Sequence, residues 1–220
     1  MQDSAVSSIE KLSPLERLLV SAAPRQGVCL SPEDARRLIR YAELLEEWGR
    51  KINLTAVVGR EQIVRRHFLD SLALVGRLPE SSKLPAQTLV DVGSGAGFPG
   101  VLCALCRPDL QVTLSERIGK KAAFLLTLRR ELGLKFDVFA DDASRLPAGF
   151  GIVVSRAALP LPKWLPFATD LAAPQGFVFA MTSPGEPIPA LPAQLRPFVD
   201  EAYDVGEGPH RILGYRRDDQ

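Results

Sequence analysis

Residues 91–97, Asp-Val-Gly-Ser-Gly-Ala-Gly, set three alternating glycines two positions after an acid and directly behind an apolar run. Glycines so spaced permit a tight turn, and their missing side chains let a ligand lie against backbone. A helix opening just beyond offers free N–H groups and a positive end. The chemistry this points to is the binding of a nucleotide-like cofactor. Taken from Gly95 to Gly100, the segment also satisfies the dinucleotide spacing G-x-G-x-x-G, with Glu116 at the distance expected of a ribose-binding acid. Asp91 distinguishes the two ligands. A carboxylate ending the first strand can organise the loop and approach an ammonium group, whereas it repels a pyrophosphate. The loop around Gly93 and Gly95 therefore favours S-adenosyl-L-methionine over NAD, and Glu116 suits either, because both carry ribose hydroxyls.

Methyl transfer to different acceptors demands different residues. A pyrimidine carbon needs a cysteine nucleophile, commonly placed after a proline, but Cys29, Cys103 and Cys106 follow Val28, Leu102 and Leu105. An exocyclic amine is often gripped by an Asn/Asp-Pro-Pro-aromatic turn after the fourth strand, where this chain has Ser155-Arg156-Ala157-Ala158-Leu159-Pro160. An acceptor that is already nucleophilic remains, such as N7 of guanine, whose lone pair carries no proton. Alignment and a suitable field then suffice, and no catalytic base is expected. Cys103-x-x-Cys106 lacks a second ligand pair, so buried thiols and no metal site are expected.

The elements that must position these residues fall into two parts, a helical stretch over residues 1–80 and a cofactor-binding core over 81–220. Ser31-Pro32-Glu33-Asp34 is a helix start, followed by Leu38, Ala42, Leu45 and Trp48 as one apolar stripe ending near Gly49. A second helix is expected from about Arg60, carrying Ile63, Phe68, Leu72 and Val75. Beyond the turn-rich linker at Pro79–Pro85, short apolar runs alternate with helical stretches. Strands are expected at Thr88–Val92, Gln111–Glu116, Lys135–Ala140, Gly151–Ser155 and Gly176–Met181, and helices at Phe98–Cys106, Gly119–Leu132 and Lys163–Ala173. This alternation predicts an α/β fold, a doubly wound, mostly parallel sheet covered by helices. Pro184–Pro197 reads as a surface connection, and Phe198–Val205 with Arg211–Tyr215 as a closing antiparallel pair.

Composition narrows the class further. The 220 residues are 46% hydrophobic and 24% charged with a net charge of +1, so any polyanion site must be a local patch. Three cysteines do not make a disulfide scaffold, which favours a reducing compartment. Met1–Leu12 carries acids and serines, so no signal peptide is expected. No apolar run is long enough to suggest a membrane span. A cytoplasmic protein, monomeric and without a membrane partner, is expected.

Four blocks resemble the RsmG (GidB) family of small-subunit ribosomal RNA guanine-N7 methyltransferases. They are Asn53-Leu54-Thr55-Ala56, Arg66-His67-Phe68-Leu69-Asp70-Ser71-Leu72, the loop from Asp91 to Gly100 with its Phe-Pro-Gly exit, and Val154-Ser155-Arg156-Ala157. The resemblance runs from about Ser31 to Ala180. It implies a class I methyltransferase fold with a seven-stranded sheet, and transfer to N7 of a guanine in the 530-loop region (guanine 527) of 16S rRNA, free or in the small ribosomal subunit. It implies that Gly93 and Phe98 line the cofactor site, that Glu116 is the ribose acid, and that Ala143 and Ser144 lie near the adenine. Arg156 would face the pocket shared by cofactor and acceptor, where its guanidinium can hold a carboxylate or a phosphate. Arg66, His67 and Asp70 are expected on the acceptor side; His67 is either a substrate contact or hydrogen-bonded to Asp70.

The chain departs from the family where Met181-Thr182-Ser183 replaces a usual Lys-Gly and where Pro209 replaces an arginine before His210. Ser144 replaces an acid, so Asp142 is expected to share its role. Arg36, Arg37, Arg40, Arg50, Lys51, Arg60, Arg65 and Arg66 form an RNA surface only if they segregate from the acids among them. The rival readings are a methyltransferase for a small molecule or protein, and a non-catalytic module binding the cofactor and a partner.

Overall fold

A computed structural model describes residues 11–218, so most of the stretch read above as lacking a signal peptide lies outside the described residues. Helix α1 spans Pro14–Ala22 and α2 spans Pro32–Gly49. At the start of α2 the Ser31 hydroxyl accepts from the Asp34 N–H at 3.1 Å while the Asp34 carboxylate accepts from the Ser31 N–H at 3.1 Å. This reciprocal cap, with Pro32 at the first helical position, fixes the helix where the sequence places it. The second expected helix is three pieces: α3 (Arg60–Ile63), a π-helical segment Val64–Leu69, and α4 (Asp70–Val75). The wider π turn falls on the Arg66-His67 block, and such turns gather at functional sites.

The core alternates β1 (Thr88–Val92), α5 (Gly100–Cys106), β2 (Gln111–Ser115), α6 (Gly119–Leu132), β3 (Asp137–Phe139), β4 (Phe150–Arg156), α7 (Leu161–Leu171) and β5 (Ala172–Thr182). It closes with β6 (Leu195–Asp204) and β7 (Pro209–Arg217). The seven strands run in the order β3-β2-β1-β4-β5-β7-β6, parallel from β3 to β5, with β7 antiparallel to both its neighbours. The expected fold class is thus observed. Strand alternation sorts side chains onto two faces. Leu89, Ile152, Val154, Phe177 and Phe179 join a core with α1, α2, α5 and α6, whereas Val90, Val92, Val153 and Val178 pack on Trp164 and Leu165 of α7. The N-terminal helices therefore share one continuous core with the sheet.

Three boundaries are corrected. Helix α5 opens at Gly100 rather than Phe98, because Phe98 and Pro99, joined by a cis peptide bond, belong to the turn. Helix α7 stops at Leu171 and β5 begins at Ala172, since Pro174 disfavours helical backbone at the residue before it. Pro197 lies inside β6 rather than in a surface connection; β6 is an edge strand, where a missing N–H is tolerated, and its register shifts beside that proline.

Candidate active site

Beyond the strand ends, β1 and β4 are neighbours while their chains wind off in opposite directions, which makes the gap between them the switch point where such sheets bind ligands. The loop after β1 turns through Gly93, Gly95 and Gly97 at φ of 72°, 57° and 101°. Glycine is required at Gly93 twice over, for its φ and because a Cβ there would stand 2.6 Å from that of Ala158. The loops following β1 and β4 thus touch. Ala157, beside Arg156, is itself held at φ 56°, and strain of this kind on a non-glycine residue marks functional sites.

Two buried acids hold the loop. Asp91 Oδ2 accepts from the Gly100 N–H at 2.9 Å, tying β1 to the start of α5, while its Oδ1 is buried without a partner. Burial raises this carboxyl to about 6, against the opposing pull of the Gly100 N–H. Glu116 accepts from the Gly95 N–H at 2.9 Å and from the Ile118 N–H at 2.8 Å, so it braces the loop as well as standing at the end of β2. An unpartnered carboxylate oxygen beside a glycine cradle fits a ligand bearing an ammonium group and ribose hydroxyls. Ala143 and Ser144 form a short turn after β3, capped where the Asp142 carboxylate accepts from the Ser144 N–H at 3.0 Å.

Phe98 is 3% exposed and sits between aromatic neighbours: Tyr41 stacks on it at 5.2 Å, His67 at 4.7 Å and Phe68 at 5.7 Å, with the Arg156 guanidinium 5.0 Å from its ring centre. Tyr41, which the sequence reading did not single out, also donates from its hydroxyl to the Ala96 carbonyl at 2.5 Å. Helix α2 therefore grips the cofactor loop directly. The only sequence signal for Tyr41 is its position on the apolar face of α2, three residues after Leu38.

Arg156, Arg66, His67 and Asp70 line a cavity of about 520 Å³. Arg156 Nη1 donates to Asp70 Oδ2 at 3.1 Å and to His67 Nδ1 at 3.2 Å. A guanidinium has no acceptor, so Nδ1 must accept and His67 Nε2–H donates to Thr55 Oγ1 at 2.8 Å. His67 is thus not bonded to Asp70, correcting that expectation. Burial, followed by the Arg156 charge, lowers His67 to about 4 and keeps it neutral with both nitrogens engaged. The second oxygen of Asp70 accepts from the Tyr203 hydroxyl and lies 3.5 Å from His210 Nδ1. Burial, then the Asp70 charge, raises Tyr203 and keeps its phenol protonated as the donor. Arg66 lies at the cavity rim, where Glu207 accepts from it at 2.9 Å.

Five of the eight basic residues considered for an RNA surface, Arg66 among them, are paired with acids. Arg37 pairs with Glu33 at 2.7 Å, Arg40 with Glu131 at 3.1 Å, Arg60 with Glu43 at 3.0 Å and Arg65 with Glu61 at 3.0 Å. Among the described residues Arg36, Arg50 and Lys51 make no ion pair. The same holds for Arg117, Lys120 and Lys121, at the strand ends near Glu116. Cys103 is buried, as expected, but Cys106 is only half-buried and Cys29 is exposed. Among the described residues no cluster suits a metal ion, and no helix is long and apolar enough to cross a membrane.

Comparison with known proteins agrees with this geometry. In fold the chain is similar to the magnesium protoporphyrin IX methyltransferase ChlM of Synechocystis PCC 6803, crystallised with bound SAM, with a TM-score of 0.58 at 14% identity over 81% of this chain and 97% of that one. In sequence it is 40% identical to the ribosomal RNA small subunit methyltransferase G of Alkalilimnicola ehrlichii over 87% of each chain. It is 42% identical to that of Halorhodospira halophila over 79% of this chain and 80% of the other. The family model described as GidB, rRNA small subunit methyltransferase G, matches residues 34–187, a span that begins inside the cap of α2 and runs past the glycine loop and Arg156 to the turn after β5. With that match and those relatives, the chain belongs to the rRNA small subunit methyltransferase G family.

Proposed function

We propose that this protein transfers the methyl group of S-adenosyl-L-methionine to N7 of a guanine in 16S rRNA, at guanine 527 of the 530-loop region. When bound, the donor supplies a methyl carried on a sulfonium: the N7 lone pair forms the new N–C bond as the C–S pair returns to sulfur, so the positive charge passes to the guanine and no proton leaves. The chain's residues fit such a step. Asp91, Glu116 and the glycines would hold the donor's amine, ribose and backbone-facing surfaces. Ala143 and Ser144 would flank its adenine, and Phe98 would offer an apolar wall. Arg156 lies between this loop and the cavity, fixed on one side by Asp70 and His67 and stacked on the other against Phe98.

One observation carries the reading: the two candidate bases bonded to Arg156 are both engaged. His67 is neutral with both ring nitrogens bonded, and Asp70 is shared among Arg156, Tyr203 and His210. Bases so engaged suit an acceptor that needs none, and alignment with the methyl group supplies the rate. The test offers labelled S-adenosyl-L-methionine with small ribosomal subunits, naked 16S rRNA and total protein. Label should enter RNA and yield N7-methylguanosine, detected by aniline cleavage after borohydride reduction. Label confined to protein, or in RNA at another atom, would refute the assignment.

A further inference from the structure

Three carboxylates line the 520 Å³ cavity, and two are already neutralised. Asp70 holds Arg156, and Glu207 holds Arg66 at 2.9 Å. Glu186 differs. Its Oε2 accepts from the Thr182 hydroxyl, and among the described residues no cation pairs with its side chain. It is nevertheless fixed in place. The Glu186 N–H donates to the Ser183 carbonyl at 3.1 Å, and Arg211 donates to the Glu186 carbonyl at 3.4 Å while its other nitrogens hold Asp200. A half-buried carboxylate held by a neutral hydroxyl, with an oxygen to spare, calls for donors from a ligand.

Its place in the sheet says which donors. The turn bearing Glu186 follows β5, Arg156 ends β4 and the glycine loop follows β1, and these strands are successive neighbours. The turn thus leaves the sheet two strand spacings, roughly 10 Å, from the strand that carries the methyl-donor loop. A guanine lying over those ends can turn N7 toward the loop only if its opposite edge, bearing N1–H and the N2 amino group, faces the β5 turn. Two parallel N–H donors are the complement of one carboxylate.

Resting on the methyl-transfer reading above, we propose that Glu186, oriented by Thr182, is the residue that selects guanine, accepting from its N1–H and N2–H. Adenine is excluded because its N1 is an acceptor and would meet the carboxylate lone pairs. The same negative charge favours the cationic N7-methylguanine as it forms. Thr182 and Ser183 are where the sequence departs from the family's Lys-Gly, and the structure gives the threonine this orienting part.

The experiment compares binding of two synthetic stem-loops of the 530-loop region, one with guanine and one with inosine at the target position. Inosine lacks only the N2 amino group. Wild type should prefer guanine by about 10-fold or more. E186Q should reduce that preference to within about 2-fold, and T182V should reduce it partway, with S-adenosyl-L-methionine affinity unchanged in both. Full guanine preference retained in E186Q, or inosine bound as tightly as guanine by wild type, would overturn the proposal. Should E186Q not fold, an unaltered preference in T182V removes the orienting role and with it the proposal. Because the ratio is read from binding, it is measurable whether or not a methyl group moves. The base-reading role and the transferase reading therefore fail separately.

Discussion

Replacing Asp91 by Asn keeps an acceptor for the Gly100 N–H and removes a charge from the centre of the molecule. Burial lifts this carboxyl from 3.8 to about 6, a displacement equivalent to about 3 kcal/mol. The folded state therefore holds a proton that the unfolded chain has released between those two values. Stability from this group is complete below the unfolded value and is lost as pH rises through about 6. Asn does not titrate, so the stability of D91N relative to wild type should grow with pH. Between about pH 4.5 and about pH 6.5 the gap should widen in favour of Asn by roughly 2 kcal/mol, and above that range it should level off.

The absolute gap carries a second contribution, because the new amide places an N–H group near where Oδ1 has no partner, at a cost of about 1–3 kcal/mol. That penalty is the same at every pH and drops out of the slope. The assay is urea unfolding of both proteins across the range, with the m-value checked for constancy. A gap that stays flat, or one that widens toward acid, would refute the assignment of a raised carboxyl. The same variant should bind S-adenosyl-L-methionine more weakly than wild type even where it is the more stable protein, since the oxygen lost is the one that faces no protein donor.

His67 should behave with the opposite sign. Its folded value is depressed to about 4, so its contribution is present above 6.5 and lost as pH falls toward 4. H67Q should therefore remove roughly 3 kcal/mol of acid sensitivity, seen as a shallower pH dependence in urea unfolding. Of Gly95 and Gly97, G97A should be the more damaging, because its Cβ would stand 2.6 Å from the Tyr41 hydroxyl and 2.7 Å from Val101 Cγ2. At Gly95 a Cβ meets nothing closer than 3.8 Å, so G95A should cost only the left-handed strain of about 1–2 kcal/mol while still weakening donor binding in a titration. Y41F leaves the ring stacked on Phe98 but orphans the Ala96 carbonyl; calorimetry should show about 1–2 kcal/mol of lost stability together with weaker donor binding.

Local rules made much of the scaffold legible. Ser31 with Asp34 announced α2, and Thr88–Val92 and Gly119–Leu132 coincide with β1 and α6, because capping, strand alternation and a terminal glycine act over a few residues. The glycine loop was legible for the same reason: φ and clearance are demands on single positions. The errors fall where a neighbour overrides local preference. Pro174 converts the end of a helical pattern into a strand, and an edge position admits Pro197 into β6. The cavity was legible only in part. Arg66, His67, Asp70 and Arg156 could be named, but their wiring could not, since it depends on β4, β5 and β7 lying side by side. Tyr203 and His210 reach Asp70 from an antiparallel pair whose partner strands give no periodic hint of what they face. The charge-rich stretch of α2 shows the same limit from the other side. Its arginines suggest a phosphate surface by count, and only the structure reveals that Arg37 and Arg40 are paired with Glu33 and Glu131. Among the described residues that line this cavity, the carboxylate with no paired cation is Glu186.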